Sequence, residues 1–217
     1  MDGAVRPWRG VVRVQTEVGV HCSGALIGPR LVLTAAHCLF GRGTGRPVRP
    51  SSIHVLVGYA RGIYAGHARA VRVESGAGFA LGPDQRPLAS SPPDADWAVL
   101  TLDDEIGTPD RILPLAQSDP APGASAMLGG YEQDRAQVIL ADTNCTVVGL
   151  VRYRDGHALL RHSCAGTSGV SGAPLLIETL GQSWAIAGVA SMADRHGAGG
   201  LAVPIRAAAL AAGRQPE

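Results

Sequence analysis

Aromatic residues make up only 4% of the 217-residue chain, and charged residues only 17%, leaving a formal net charge of +1. No block of like charge occurs. Nucleic acid and anionic membrane therefore find no basic surface, and neither is expected as a partner. The apolar runs are too short to cross a bilayer. No charged start, apolar stretch and cleavage site open the chain, so any secretory signal is expected to be absent or already removed. Helical periodicity is almost missing from the first 170 residues. No Cys-x-x-Cys spacing is present, which gives zinc and dithiol redox chemistry no support. Neither a metal nor a cofactor is expected, and no repeat or low-complexity segment stands out.

What is present is a 46% apolar chain, long enough for one large domain or two small ones closely packed. Short strand-like segments dominate, bounded by Gly, Pro and Ser. The first half offers Val11–Gln15, Cys22–Ile27, Leu31–Thr34, Ile53–Gly58, Ala68–Glu74 and Trp97–Leu102. The second offers Ala124–Gly130, Asn144–Arg152, Ala158–His162, Pro174–Glu178, Trp184–Ser191 and Leu201–Val203. Several alternate apolar with polar, as half-buried strands do. Six strands, a Pro-punctuated connection (Asp103–Ala121) and six more suggest barrels or a sandwich. Helix is expected only at the end, over Ile205–Ala212, after Pro204 and before Gly213.

Cysteines fall as one pair in each half. Cys22–Cys38 and Cys145–Cys164 are the natural disulfides, closing loops of 16 and 19 residues, each worth roughly 3 kcal/mol by chain entropy. Bridges of this kind point to a periplasmic or extracellular site. Four reduced, buried cysteines in a cytosolic protein are the open alternative.

Three stretches carry chemistry. Gly169-Val170-Ser171-Gly172-Ala173-Pro174 places a serine between glycines, just before an apolar strand. Glycine permits backbone conformations that residues with a Cβ resist. Leu33-Thr34-Ala35-Ala36-His37-Cys38 offers an imidazole, and Asp96-Trp97-Ala98-Val99-Leu100 a carboxylate. A serine hydroxyl is a poor nucleophile at neutral pH until a base takes its proton. Imidazole suits that task because its pKa lies near operating pH, and a carboxylate fixes its tautomer. Gaps of 59 and 75 residues separate the three, so only the fold can assemble them.

With those motifs in the order His, Asp, Ser, the chain resembles the chymotrypsin-fold, trypsin-like serine proteases. It is most similar in style to bacterial trypsin-like and glutamyl-endopeptidase-like members. Cys22-Ser23-Gly24-Ala25-Leu26-Ile27 and Gly188-Val189-Ala190-Ser191 add to the likeness, which runs from about Trp8 to Val203. The resemblance implies an all-β protein of two six-stranded antiparallel barrels, with the active-site cleft between them. Residues 1–112 would form the barrel carrying His37 and Asp96, residues 113–203 the barrel carrying Ser171, and residues 204–217 a helix and tail. It further implies serine endopeptidase activity by way of an acyl-enzyme, with no cofactor. The amides of Gly169 and Ser171 would form an oxyanion hole. A polypeptide substrate would lie extended along Ser191, Met192 and Ala193, probing a pocket with Ala165, Thr167 and Ala190. The protein is expected to be a monomer.

Departures from the family pattern matter. Val170 stands where most members carry the acidic residue that receives a new N-terminal ammonium, and Trp8-Arg9-Gly10-Val11 replaces the usual Ile-Val-Gly-Gly. Activation by that ion pair is therefore not expected. Ala165 replaces the aspartate of trypsins, so a preference for Arg or Lys is not expected either. Thr167 matches a threonine of glutamate-specific members, but Ala190 replaces their histidine. His162 or His196 is a candidate substitute. Met192 replaces a tryptophan, giving a more pliable wall.

Ser168 is a decoy for Ser171 that lacks the Ser-Gly-Ala-Pro context. His21, His54, His67 and His157 are expected to be solvated. Asp103-Asp104-Glu105 has the wrong spacing for a calcium loop. An esterase using Ser171, Asp194 and His196 would need alternating helices that the sequence does not offer. A protease fold retired to binding is the stronger rival.

Overall fold

The structure, a computed structural model, describes residues 3, 5–131, 137–166, 170–179, 183–193 and 199–205. Strands dominate these residues because the apolar segments alternate and are cut by turn formers every few residues. β1 (Val11–Thr16), β2 (His21–Gly28), β3 (Leu31–Thr34), β4 (Ile53–Val57), β5 (Gly66–Ser75) and β6 (Ala98–Leu102) close into one antiparallel barrel in the order β1-β2-β3-β6-β5-β4. β7 (Ser125–Gly130), β8 (Leu140–Arg152), β9 (Ala158–His162), β10 (Pro174–Thr179), β11 (Ser183–Ala193) and β12 (Gly200–Pro204) close into the second. Its order, β10-β11-β12-β9-β8-β7, is the same circuit. The expected two-barrel, all-β architecture is therefore observed.

Alternation along the second-barrel strands explains how the two barrels join. Leu160, Leu175, Ala187 and Ala202 belong to a core cluster inside barrel 2. Their neighbours Leu159, Leu176, Ile186 and Val203 join the larger cluster that fills barrel 1 with Val11, Val12, Leu26, Leu33, Val55 and Leu100. Both faces of these strands are covered, which explains their nearly continuous apolar sequence. Fully burying such a side chain contributes roughly 1.5–3 kcal/mol. The connection between barrels changes partners over a few residues: Leu113 N–H donates to Leu26 O of barrel 1, while Ala116 N–H donates to Ile186 O of barrel 2. Trp8, ahead of β1, is buried against Gly129 of β7, where an added Cβ would lie 2.4 Å from the indole.

Two strands are longer than alternation suggests. β5 and β8 contain register shifts, between Ala70 and Arg72 and between Val147 and Gly149, and each shift moves the apolar pattern to the other face. Short 3-10 turns at Trp8–Gly10, Ala36–Leu39, Pro50–Ser52 and Pro93–Ala95 correct the expectation of helix at the end only. They are too brief to leave a helical period, and two start on proline, whose fixed φ suits a first helical position. Beyond Ile205 the expected terminal helix lies outside the described residues.

Candidate active site

His37 lies on the 3-10 turn that follows β3, and Asp96 sits between the 3-10 turn Pro93–Ala95 and β6. β3 and β6 are paired neighbours, Thr34 opposite Ala98, so the strands deliver both residues to the same end of barrel 1. The Cys22–Cys38 disulfide ties the His37 turn to β2, and Cys145–Cys164 ties β8 to the stretch before Ala165. Asp96 is 5% exposed. Its Oδ1 accepts the His37 backbone N–H at 2.9 Å, and its Oδ2 lies 2.7 Å from His37 Nδ1. A carboxylate only accepts, so Nδ1 carries the hydrogen and the lone pair of neutral His37 is left on Nε2.

Burial works against charge on both partners, but each outweighs it for the other. Burial pulls the His37 pKa down, and the Asp96 charge and hydrogen bond raise it above 6.5 on balance. Burial pushes Asp96 up, and His37, Ser191 and the His37 amide together hold it below 3.8. Asp96 is thus ionised at neutral pH.

A third donor comes from barrel 2. Ser191 Oγ donates to Asp96 Oδ2 at 2.5 Å. The pairing of β11 with β12 slips between Ala190 and Met192, and a bulge of this kind re-aims a side chain. That accounts for the Ser191 hydroxyl turning toward the carboxylate. The sequence placed Ser191 on the substrate edge and gave no sign of this contact. Met192 and Ala193 are exposed beside it. Both pair with β12, while β10 ends its pairing at Pro174 opposite Val189.

Ser171 occupies a tight turn. Ala173 N–H donates to Val170 O at 2.8 Å, and Gly172, at the third position, has φ of 80°, the geometry for which glycine is favoured. A Cβ on Gly172 would lie 2.3 Å from both Ser23 O and Thr34 Oγ1 and 3.0 Å from Ala35 N. The turn is thus packed against barrel 1 two residues before His37. Gly172 N–H bonds to Ala190 O and Ala190 N–H to Ala173 O, joining the turn to β11. Among the described residues no hydrogen bond joins Ser171 Oγ to His37. In unliganded sites such bonds are often long.

Ser23, which the sequence marks only as part of a motif, is fully buried and bonds in three directions. Its N–H donates to Ser171 O, its carbonyl accepts from Thr34 Oγ1, and its Oγ accepts from Tyr131 N–H. A buried serine in an otherwise apolar strand was the available signal.

Ala190 is buried, and the Ala165 N–H donates to Asp142 Oδ2 at 2.8 Å. Thr167, Ser168, Gly169, Asp194 and His196 lie outside the described residues. His162 is buried against Gly200, with its pKa pushed down to about 4 by burial despite the nearby Asp142 charge. His37 also lies near the sulfurs of Cys22 and Cys38, but a disulfide offers no thiolate and this trio is no metal centre. In the acidic run, Asp103 accepts from Arg69 N–H and Glu105 from Arg30. The expectation that His157 is simply solvated is corrected: its Nδ1 pairs with Asp94 at 2.6 Å. His54 and His67, also expected to be solvated, are bonded to each other at 2.9 Å, because adjacent strands bring their rings together.

The family model for Trypsin matches residues 2–212. The chain belongs to the trypsin family. It is a serine-type peptidase with the chymotrypsin fold. Among solved structures it is similar to a Glu endopeptidase in complex with MPD, at 20% identity over 98% of this chain and 94% of that one, TM-score 0.73. Human heparin binding protein follows at 18% identity, 98% and 94% coverage and TM-score 0.70. The active form of the Rv3671c protease from M. tuberculosis matches at 19% identity, 96% and 83% coverage and TM-score 0.67.

Proposed function

We propose that this trypsin-family protein is a serine endopeptidase whose triad is Ser171, His37 and Asp96. The observation that carries this reading is the Asp96 carboxylate, buried and held by His37 from one barrel and by Ser191 from the other. It leaves the His37 Nε2 lone pair available as base. Ser171 Oγ attacks the peptide carbonyl as Nε2 takes its proton. The proton then passes to the leaving amine, and an acyl-enzyme remains for water to hydrolyse. The amides of Gly169 and Ser171 bind the oxyanion, each such donor being worth about 3–4 kcal/mol in the transition state. The substrate lies extended along Ser191–Ala193, where main-chain bonds supply affinity.

Ala165 and Ala190 give the pocket no carboxylate of its own, so Arg and Lys are not the preferred side chains. Val170, 5% exposed in the barrel 2 core, replaces the usual activating ion pair with apolar packing, and the pocket is preformed. Two disulfides fit an oxidising compartment, extracellular or periplasmic, where the protein acts as a monomer.

Intact mass after fluorophosphonate treatment tests this proposal. One adduct on wild type and none on Ser171→Ala is the expected result. An adduct that persists in Ser171→Ala refutes the nucleophile. No adduct on folded wild type refutes the preformed site and favours the binding-only role that Val170 suggests.

A further inference from the structure

Two aspartates, two residues apart, reach from barrel 1 to barrel 2. Asp96 meets Ser191 at the inner end of the seam. Asp94, on the 3-10 turn Pro93–Ala95, meets His157 at the outer end, Oδ1 to Nδ1 at 2.6 Å. Between them Ala95 is buried, and Gly76 approaches so closely that a Cβ there would lie 2.2 Å from Ala95 O. Gly76 N–H also donates to Trp97 O. The segment Asp94–Trp97 therefore moves as one piece, with β5 behind it. The hairpin turn carrying His157 is equally constrained: Tyr153 N–H donates to His157 O, Gly156 N–H to Tyr153 O, and His157 N–H to Asp155 Oδ1.

The Pro93–Ala95 turn lies against β9 and β12 of barrel 2, so backbone packing and the Asp94–His157 pair hold the outer end together. A cleft of about 250 Å³ opens there, lined by Asp94, Asp119, Leu150, Arg152, Ala158 and Pro204 among others. Among the described residues, the side-chain contacts by which this segment reaches barrel 2 are the close Asp94–His157 pair and the hydrogen bond from Ser191 to Asp96.

We propose that His157 is a positioning residue for the triad. By gripping Asp94 it fixes the rigid Asp94–Trp97 segment, and so sets where the Asp96 carboxylate stands beneath His37 relative to the barrel that carries Ser171. This rests on the triad reading above. His157 and Asp94 are 34% and 31% exposed, and pairs so exposed contribute little to overall stability. Their loss acts on geometry instead, and misplacement by about 1 Å can cost as much as 10²-fold in rate.

The experiment compares wild type, His157→Ala, His157→Asn, Asp94→Ala and the double variant His157→Ala/Asp94→Ala. Three quantities are read: the fluorophosphonate labelling rate at Ser171, the melting temperature, and the downfield proton resonance of His37 Nδ1–H. His157→Ala is expected to lower the labelling rate about tenfold, to shift the resonance, and to leave the melting temperature nearly unchanged. His157→Asn, whose amide donates from the same position as Nδ1, restores both rate and resonance. In the Asp94→Ala background, His157→Ala adds no further loss. Labelling at the wild-type rate in His157→Ala overturns the proposal. So does a loss that tracks the melting temperature and is not rescued by His157→Asn. If wild type itself takes no label, the triad reading has failed, and the resonance alone then decides whether His157 positions Asp96.

Discussion

The two barrels share one strand circuit but contribute to the site by different means. Barrel 1 supplies side chains. His37 and Asp96 are joined through both carboxylate oxygens, and a disulfide anchors the turn beside them. Barrel 2 holds its serine mainly through backbone. Ser171 is placed by the carbonyls and amides of Val170, Ala173 and Ala190, by the positive φ of Gly172, and by the Ser23 N–H that reaches it from barrel 1. The difference teaches where each part of the site is vulnerable: the His37–Asp96 pair to loss of a functional group, the Ser171 turn to a Cβ added at Gly172.

The largest effect tests barrel 1. Asp96→Asn keeps the shape but offers His37 an amide that can donate, so the ring loses the constraint that places its lone pair on Nε2. Loss of about 10⁴-fold in kcat is expected, the cost of this exchange in such a constellation. The pH profile sharpens the point. Protonated His37 cannot accept the serine proton, and Asp96 raises its pKa above 6.5. Wild-type activity therefore falls away on the acid side at a midpoint above 6.5. Residual activity in Asp96→Asn should fall away at a lower pH, since burial, which lowers the pKa, is no longer opposed. A pH–rate profile with an unmoved midpoint would break the assignment of Asp96.

Next in size is Gly172→Ala, the matching test of barrel 2. The new methyl meets two oxygens at 2.3 Å, one of them backbone, at a φ that L side chains resist. A stability loss of about 2–4 kcal/mol is expected, together with loss of fluorophosphonate labelling, although no side chain of the proposed triad has changed. Denaturant unfolding and labelling check it. If labelling survives intact, the turn does not determine where Ser171 stands.

The same contrast explains what could be read from the sequence. His37 beside Cys38, Asp96 before an apolar strand, and Ser171 among glycines are identities fixed by chemistry, and they stand out in a linear string. The strands were equally visible, because turn residues bound each apolar run. What stayed hidden depends on tertiary placement. Ser191 reaches Asp96 only because a bulge re-aims it, and no pattern of period two announces a slip of one residue. Ser23 bonds to partners as distant in sequence as Tyr131, and His157 finds Asp94 only after the barrels dock. Short 3-10 turns escape periodicity because, at three or four residues, they span about one turn and never repeat a pattern.

Ser191→Ala probes the one direct bond, among the described residues, from barrel 2 to the barrel 1 pair, and it carries the smallest expected effect. Removing the hydroxyl takes one of three donors from a buried carboxylate. Burial then weighs more heavily, so Asp96 rises toward its ordinary pKa while His37, still bonded to both oxygens, keeps it ionised at neutral pH. Hydrogen bonds to charged groups contribute roughly 1.5–3 kcal/mol. With two donors remaining, a fall in kcat of about tenfold is expected, since roughly 1.4 kcal/mol corresponds to a factor of 10. KM should stay within a small factor, because the backbone of Ser191–Ala193 still offers its edge. If instead KM rises and kcat holds, Ser191 serves the substrate strand alone, and barrel 1 positions its carboxylate without help from barrel 2.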